Sequence, residues 1–406
     1  MRYVNNTKFT SEKLREQVYM SLNYAEDMSD EEVKLIIKKV AYSYLKISHL
    51  PIKKLLEMER EVFNSMRRLD VLQDYLEDSS ISEIMINGWD NIFLEREGEI
   101  IKGEKVFSSK ERLQDIIQNI VGDINRTVNE SKPIADARLQ DGSRVNIVLP
   151  PVAINGPIVT IRKFKETNFV LDDLVKLGTI NENAKVFLER IVAARYNIFI
   201  CGGTDTGKTT FLNALAYCIR QDERVITIED LAELRLGTVA NLVSLEAREA
   251  SVSGSGRVSI RDLIKSALRM RPDRIIVGEV RDSAVIDLMN AYNTGHDGSI
   301  STGHGNSSKD MITRLVTMFL MGMEMPEIAI KKQIASAIDY FIHLGRDKSK
   351  RRIVVGIDEV CKDVDEEIKL NNLFYYDFAK GELMRSENKV INTDKFEREG
   401  VVYDGL

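Results

Sequence analysis

Cysteine is scarce: the 406-residue chain has three, Cys201, Cys218 and Cys361, in no C-x-x-C spacing. Their scatter excludes a disulfide framework and a cysteine-based metal site, and an odd count of small buried thiols fits a reducing compartment. Long apolar runs are missing too, since a charge interrupts each one before the ~18 residues that a membrane span requires. The opening MRYVNNTKFTSEKLREQ carries no apolar leader core. These absences predict a cytoplasmic protein that meets the inner face of the membrane only through partners. Excess positive charge is also lacking. With a formal net charge of -6, the chain has no general basic face to neutralise nucleic-acid phosphates, so no direct nucleic-acid partner is expected. Internal repeats and low-complexity tracts are absent as well.

What remains, 43% hydrophobic and 30% charged, is an ordinary globular balance with room for two or three domains. Residues 1–76 read as a helical module, because EEVKLIIKKVAYSYLKI and KKLLEMEREVFNSMRRLDVL place apolar residues three and four apart after the capping side chains of Ser29 and Asp30. From Ile81 the period changes to two around Asn87-Gly88 and Glu97-Gly98, so residues 77–165 read as an α+β domain. A linker over 166–180 precedes a region, 181–345, in which helix and strand alternate, the pattern of a mostly parallel sheet covered by helices. RRIVVGIDEV and EIKLNNLFYYDF then predict a β-rich extension over 346–406.

The chemistry concentrates after YNIFIC. Gly202, Gly203, Thr204, Asp205, Thr206, Gly207, Lys208, Thr209 and Thr210 spell G-x-x-x-x-G-K-T-T between a strand and a helix. There backbone N–H groups can converge on phosphates, a lysine can neutralise them, and the Thr209 hydroxyl can reach Mg²⁺. The alternative is a glycine-rich turn with no ligand. Asp205 stands awkwardly in such a cradle. Its carboxylate could cap the loop in place of phosphate, or it could enter the left-handed region that Asp tolerates and turn outward to solvent or to an arginine; we favour the second.

Two further strands end in acids, RVITIED at Glu229 and Asp230 and RIIVGE at Glu279, and the carboxyl ends of parallel strands line the ligand crevice. Hydrolysis of a nucleotide needs an acid to hold the metal and a base to orient water. TGHDGSISTGHGNSS adds His296 and His304; a lone histidine is more often structural, and with no cysteine or third histidine nearby a γ-phosphate or subunit sensor suits the loop better than a metal site. Arg138, Arg144, Arg162, Arg269, Arg271, Arg274 and Arg281 read mostly as salt-bridged surface groups, with some available to meet phosphate charge.

Together these motifs resemble the secretion-superfamily traffic ATPases of type II and type IV systems, most closely the CpaF type associated with tight-adherence (Flp) pili. The resemblance runs from about Val71 to Val360: GGTDTGKTTFLNAL looks like the Walker A box, ITIEDLAEL the Asp box, RMRPDRIIVGEVR the Walker B box and TGHDGSISTGHGNSS the His box. It implies an α/β, RecA-like P-loop core behind an N-terminal α+β (PAS-like) domain, assembled as a homo-hexamer that uses ATP and Mg²⁺ and grips inner-membrane platform proteins. It makes Lys208 and Thr209 phosphate and Mg²⁺ ligands, Glu279 the Walker B acid acting on the metal through water, Glu229 the favoured water activator and His304 the His-box residue. Arg138, Arg144 and Arg162 become arginines supplied across the cleft. The chain departs from the family where Asp205 replaces glycine and where Gly303 and Gly305 flank His304, which predicts a looser backbone there. The leading expectation is a motor for pilus assembly or protein export; the alternatives are a nucleotide-binding scaffold with little turnover and a DNA-translocating motor.

Overall fold

The computed structural model describes residues 10–22, 28–48, 51–122, 128–163, 169–248 and 256–403, and the chain divides into two compact units, Met1–Lys165 and Glu166–Leu406. His49 and the start of the expected linker lie outside the described residues.

The first unit begins with α1 (Ser11–Ser21), α2 (Asp30–Ser48) and α3 (Ile52–Arg67), amphipathic helices that bury Leu14, Val18, Val33, Ile37, Leu55, Met58 and Val62 against one another. A capping box starts α2: the Glu32 N–H donates to Ser29 Oγ and the Glu32 carboxylate accepts from the Ser29 N–H. After α4 (Val71–Glu77) come β1 (Ile81–Asn87), β2 (Ile92–Arg96), β3 (Glu99–Lys102), α5 (Lys110–Gly122), β4 (Ile134–Arg138), β5 (Arg144–Val148) and β6 (Ile158–Arg162). The strands form one antiparallel sheet in the order β3-β2-β1-β6-β5-β4. Period-two alternation turns Ile84, Ile86, Val145, Ile147, Val159 and Ile161 to one face, where α5 covers them with Leu113, Ile116, Ile117 and Ile120.

The second unit contains α6 (Leu171–Lys176), α7 (Glu182–Ala193), β7 (Ile198–Gly202), α8 (Lys208–Ala216), β8 (Arg224–Glu229), β9 (Asn241–Glu246), α9 (Ile260–Ala267), β10 (Arg274–Val277), α10 (Ala284–Asn293), β11 (Ile300–His304), α11 (Ser308–Leu320), α12 (Glu327–Ala337), β12 (Tyr340–Arg346), β13 (Arg352–Val364), β14 (Ile368–Asp377), β15 (Glu382–Arg385) and α13 (Asp394–Arg398). Its sheet runs β15-β14-β13-β12-β7-β11-β10-β8-β9, parallel from β12 to β9 and antiparallel from β12 to β15. Each residue of β7 and β10 is buried, as strands covered on both faces require. Alternate residues of β7 feed two cores: Ile198 and Ile200 meet α7 and α8, while Phe199 and Cys201 meet α9 to α12. The terminal strands β13 to β15 are continuous with this sheet through β12, so the β-rich stretch that begins at residue 346 shares the core of the strands before it.

Candidate functional site

The carboxyl ends of β7, β11, β10 and β8 stand side by side, and the chain's motifs sit on them. β7 ends at Gly202 and α8 starts at Lys208, with Asp205 (φ 59°) and Gly207 (φ 90°) both left-handed in the loop between. Close packing fixes the first glycine: a Cβ on Gly202 would stand 2.6 Å from the Leu344 carbonyl oxygen and 2.7 Å from Thr206 Oγ1. Among the described residues, none of the backbone N–H groups from Thr204 to Thr210 donates a hydrogen bond within the chain. A row of open donors at a helix N-terminus fits a bound anion, and a nucleotide phosphate suits it. Thr209 and Thr210 occupy the first turn of α8.

Lys208 is buried in the loop, its Nζ donating to the carbonyls of Gly202 (3.1 Å) and Gly203 (2.9 Å). Burial lowers its pKa, although the charge of Glu279 opposes the shift. The parallel register sets His304 beside Gly202, and His304 Nδ1 lies 3.4 Å from Lys208 Nζ. The other ring nitrogen, Nε2, lies 2.9 Å from Glu279 Oε1. An ammonium has only donors, so Nδ1 is the lone-pair nitrogen and Nε2 carries the ring proton, close to Glu279 Oε1 but out of hydrogen-bond alignment with it. Desolvation holds the His304 pKa below the ordinary imidazole value; Glu279 works against it, while Lys208, Arg281 and Arg314 add to it. Glu279 accepts from Arg281 Nη2 (2.7 Å), whose other terminal nitrogen lies 3.9 Å from Asp230. Lys208, His304, Glu279, Arg281 and Asp230 thus form one row of polar and charged groups across three strand ends. Arg281 takes Oε2 of Glu279, while the buried Oε1 accepts no hydrogen bond among the described residues and is the oxygen that would face a metal-bound water.

Glu229 is placed differently. It is 4% exposed, and its Oε1 accepts from the backbone N–H groups of Glu233 (2.9 Å) and Leu234 (3.1 Å). Gly278 leaves room for it, since a Cβ there would come within 2.9 Å of Glu229 Cγ. To act on water this carboxylate must first release the loop after β8.

The glycines beside His304 are crowded, contrary to the looser backbone expected there. A Cβ on Gly303 would meet Met311 Sδ and Cε and Phe199 Cε1 at 3.0 Å, and one on Gly305 would meet Met311 Cβ at 3.1 Å. Helix α11 packs directly on this strand end, so the small residues tighten the mount of His304. His296 closes the end of α10, its Nδ1 3.1 Å from the Ala291 carbonyl oxygen. Among the described residues no grouping of three His, Cys, Asp or Glu side chains could hold a metal.

The arginines separate by role. Arg274 is fully buried and forks onto Glu223, Nε to Oε2 at 2.6 Å and Nη2 to Oε1 at 2.8 Å, a structural pair. Arg138, Arg144 and Arg162 belong to the first unit, where strand register places them opposite one another in a single row across β4, β5 and β6. Sequence reasoning did not find Arg346 and Arg352, which reach Asp205 from the far end of the chain. Arg352 Nη2 donates to Asp205 Oδ1 (2.6 Å), and Arg346 Nη2 donates to Oδ2. Burial works to raise the Asp205 pKa, but the two guanidinium groups outweigh it and hold the carboxyl below its ordinary value. No motif marks residues that join the loop only through sheet topology.

Comparison with known proteins places this geometry. The type II/IV secretion system protein family matches residues 66–375. The conjugal transfer protein TrbB of Rhizobium radiobacter is 33% identical over 282 residues, 68% of this chain and 83% of that protein. The type IV secretion system protein VirB11 of Brucella suis biovar 1 is 30% identical over 303 residues, 68% of this chain and 84% of that protein. Among solved structures, the pilus retraction motor PilT with bound ADP shares the fold, with a TM-score of 0.52 and 19% identity over 82% of this chain and 86% of that one. The chain belongs to the type II/IV secretion system protein family.

Proposed function

We propose that this family member is an ATP-hydrolysing motor, working as a homo-hexamer on the cytoplasmic face of the inner membrane to drive pilus assembly or protein export through platform proteins. The observation that carries the reading is the Lys208–His304–Glu279 chain beside a loop of open N–H groups. Bound ATP would bring Mg²⁺, which supplies charge neutralisation at the phosphates. Lys208 would exchange the carbonyls of Gly202 and Gly203 for phosphate oxygens, Thr209 would hold the metal directly, and Glu279 would hold it through water. As Lys208 moves, His304 Nδ1 loses its cation neighbour, so the imidazole is the group that reports occupancy to Glu279. Glu229 orients the attacking water once Glu233 and Leu234 let it go. Arg138, Arg144 and Arg162 offer a positive row to the phosphates of a neighbouring subunit. The motif texture supports the Flp-pilus pathway as the finer assignment.

A nucleotide-binding scaffold is the second reading, favoured by the closure of Lys208 on its own loop. Steady-state phosphate release from the assembled chain separates the two. The motor requires turnover that falls at least about a hundredfold in Lys208→Ala and in Glu279→Gln. Nucleotide binding without turnover in any assembly would leave the scaffold.

A further inference from the structure

We propose that Arg346 and Arg352 are positioning residues of the nucleotide site: they pin the phosphate loop through Asp205 and cancel its charge, so that an anion can enter a loop whose sequence would repel it. The inference rests on the reading of that loop as a nucleotide site.

Four N–H contacts converge on Asp205. Its carboxylate accepts from Arg346 Nη2 and Arg352 Nη2, and its backbone carbonyl accepts from Arg346 Nη2 (2.8 Å) and Arg352 Nε (3.1 Å). Side chain and peptide are therefore held together, which fixes the left-handed turn that glycine would otherwise supply (φ 59°). The arginines are rigidly mounted. Arg346 ends β12, Arg352 begins β13, and the two are register partners. β12 in turn pairs with β7, Leu344 opposite Gly202, so the stem of the hairpin and the root of the loop are neighbouring strands. Asp347 closes the turn between the arginines, accepting from the N–H groups of Ser349 (2.8 Å) and Arg351 (2.9 Å). The aliphatic stem of Arg352 lies over Gly207, where a Cβ would meet its Cδ at 3.2 Å. Nothing in this arrangement needs the arginines to touch the nucleotide. Their work is on Asp205: a bare carboxylate ~6 Å from a phosphate, at an effective dielectric of ~20, would weaken binding about a hundredfold per charge.

The test is a mutant cycle read by calorimetric titration of the full chain with ADP and Mg²⁺, with thermal melts to confirm folding. Arg346→Ala/Arg352→Ala should weaken ADP at least about tenfold, Asp205→Gly alone should change it less than about threefold, and the triple variant should return to within about threefold of wild type. Lys at both positions keeps charge without the fork and should fall between wild type and the double alanine variant. If the triple variant binds as weakly as the double, the arginines act on the nucleotide and the inference fails. A double variant that binds like wild type, or a large gain in Asp205→Gly, overturns it equally. Wild-type chain that binds no ADP would instead overturn the site reading, and the inference with it.

Discussion

At the scale of single residues, three positions carry testable consequences. Gly303 has no space for a methyl group between Met311 and Phe199. Gly303→Ala should therefore cost about 1–3 kcal/mol, seen as a lower denaturation midpoint, whereas an unhindered backbone would tolerate it. Glu229 separates structure from chemistry. Gln at 229 keeps an acceptor for the N–H groups of Glu233 and Leu234 but cannot take a proton, so Glu229→Gln should preserve ADP affinity while turnover drops by two orders of magnitude or more. Retained turnover would hand the role to Glu279. His304 gives the pH dependence. Its folded pKa lies below the unfolded value, so the fold favours the neutral ring; that stability is present above ~6.5 and is lost as pH falls through the folded pKa. Half-buried His343 shifts in the same direction. Melts between pH 7 and 5 should show stability falling, with a shallower slope in His304→Gln than in wild type. At this scale the sequence drew attention to the P-loop by spacing, to Glu279 by an acidic strand end, and to His304 by the family resemblance. It could not announce Arg346 and Arg352, which lie about a hundred and forty residues from Asp205 in sequence and meet it only in three dimensions.

At the scale of elements, legibility follows the apolar pattern of the run and the turn signals around it. β7, β8 and β10 read clearly because each is a short apolar run between turn signals. β9 and β12 do not. β9, NLVSLE, is the last strand of its sheet and only half-buried, and YFIHLGR in β12 is a mixed run that follows directly on a helix. Helix α13 was equally silent, yet it anchors the end of the described chain. Phe396 is buried against Tyr196, with centroids 4.9 Å apart, and stacks on Tyr403 at 4.8 Å and 8°. Lys395 ties the same turn to Asp297 (2.6 Å) and Asp339 (2.8 Å). Phe396→Ala should remove about 3–5 kcal/mol from the second unit, measured by chemical denaturation. An unchanged midpoint would mean that α13 is merely laid on the surface.

At the scale of the whole molecule, the alternation of helix and strand was enough to predict a parallel sheet, and the order of the motifs was enough to place them at its carboxyl ends. Where the β-rich tail belongs could not be read, because antiparallel hairpins look the same whether they stand alone or extend a parallel core. The row of Arg138, Arg144 and Arg162 belongs to this scale, since in the proposed ring it serves a neighbouring subunit. Arg144→Ala should leave ADP affinity of the dilute chain unchanged and lower phosphate release only under assembling conditions. Equal turnover in both would remove the row from the mechanism. The place of β12 has a practical meaning as well. A fragment cut at residue 346 as a minimal catalytic core would strip β13 from its partner and leave β12, one strand from the phosphate loop, as a bare sheet edge able to template another chain's strand. Such a fragment should precipitate rather than hydrolyse.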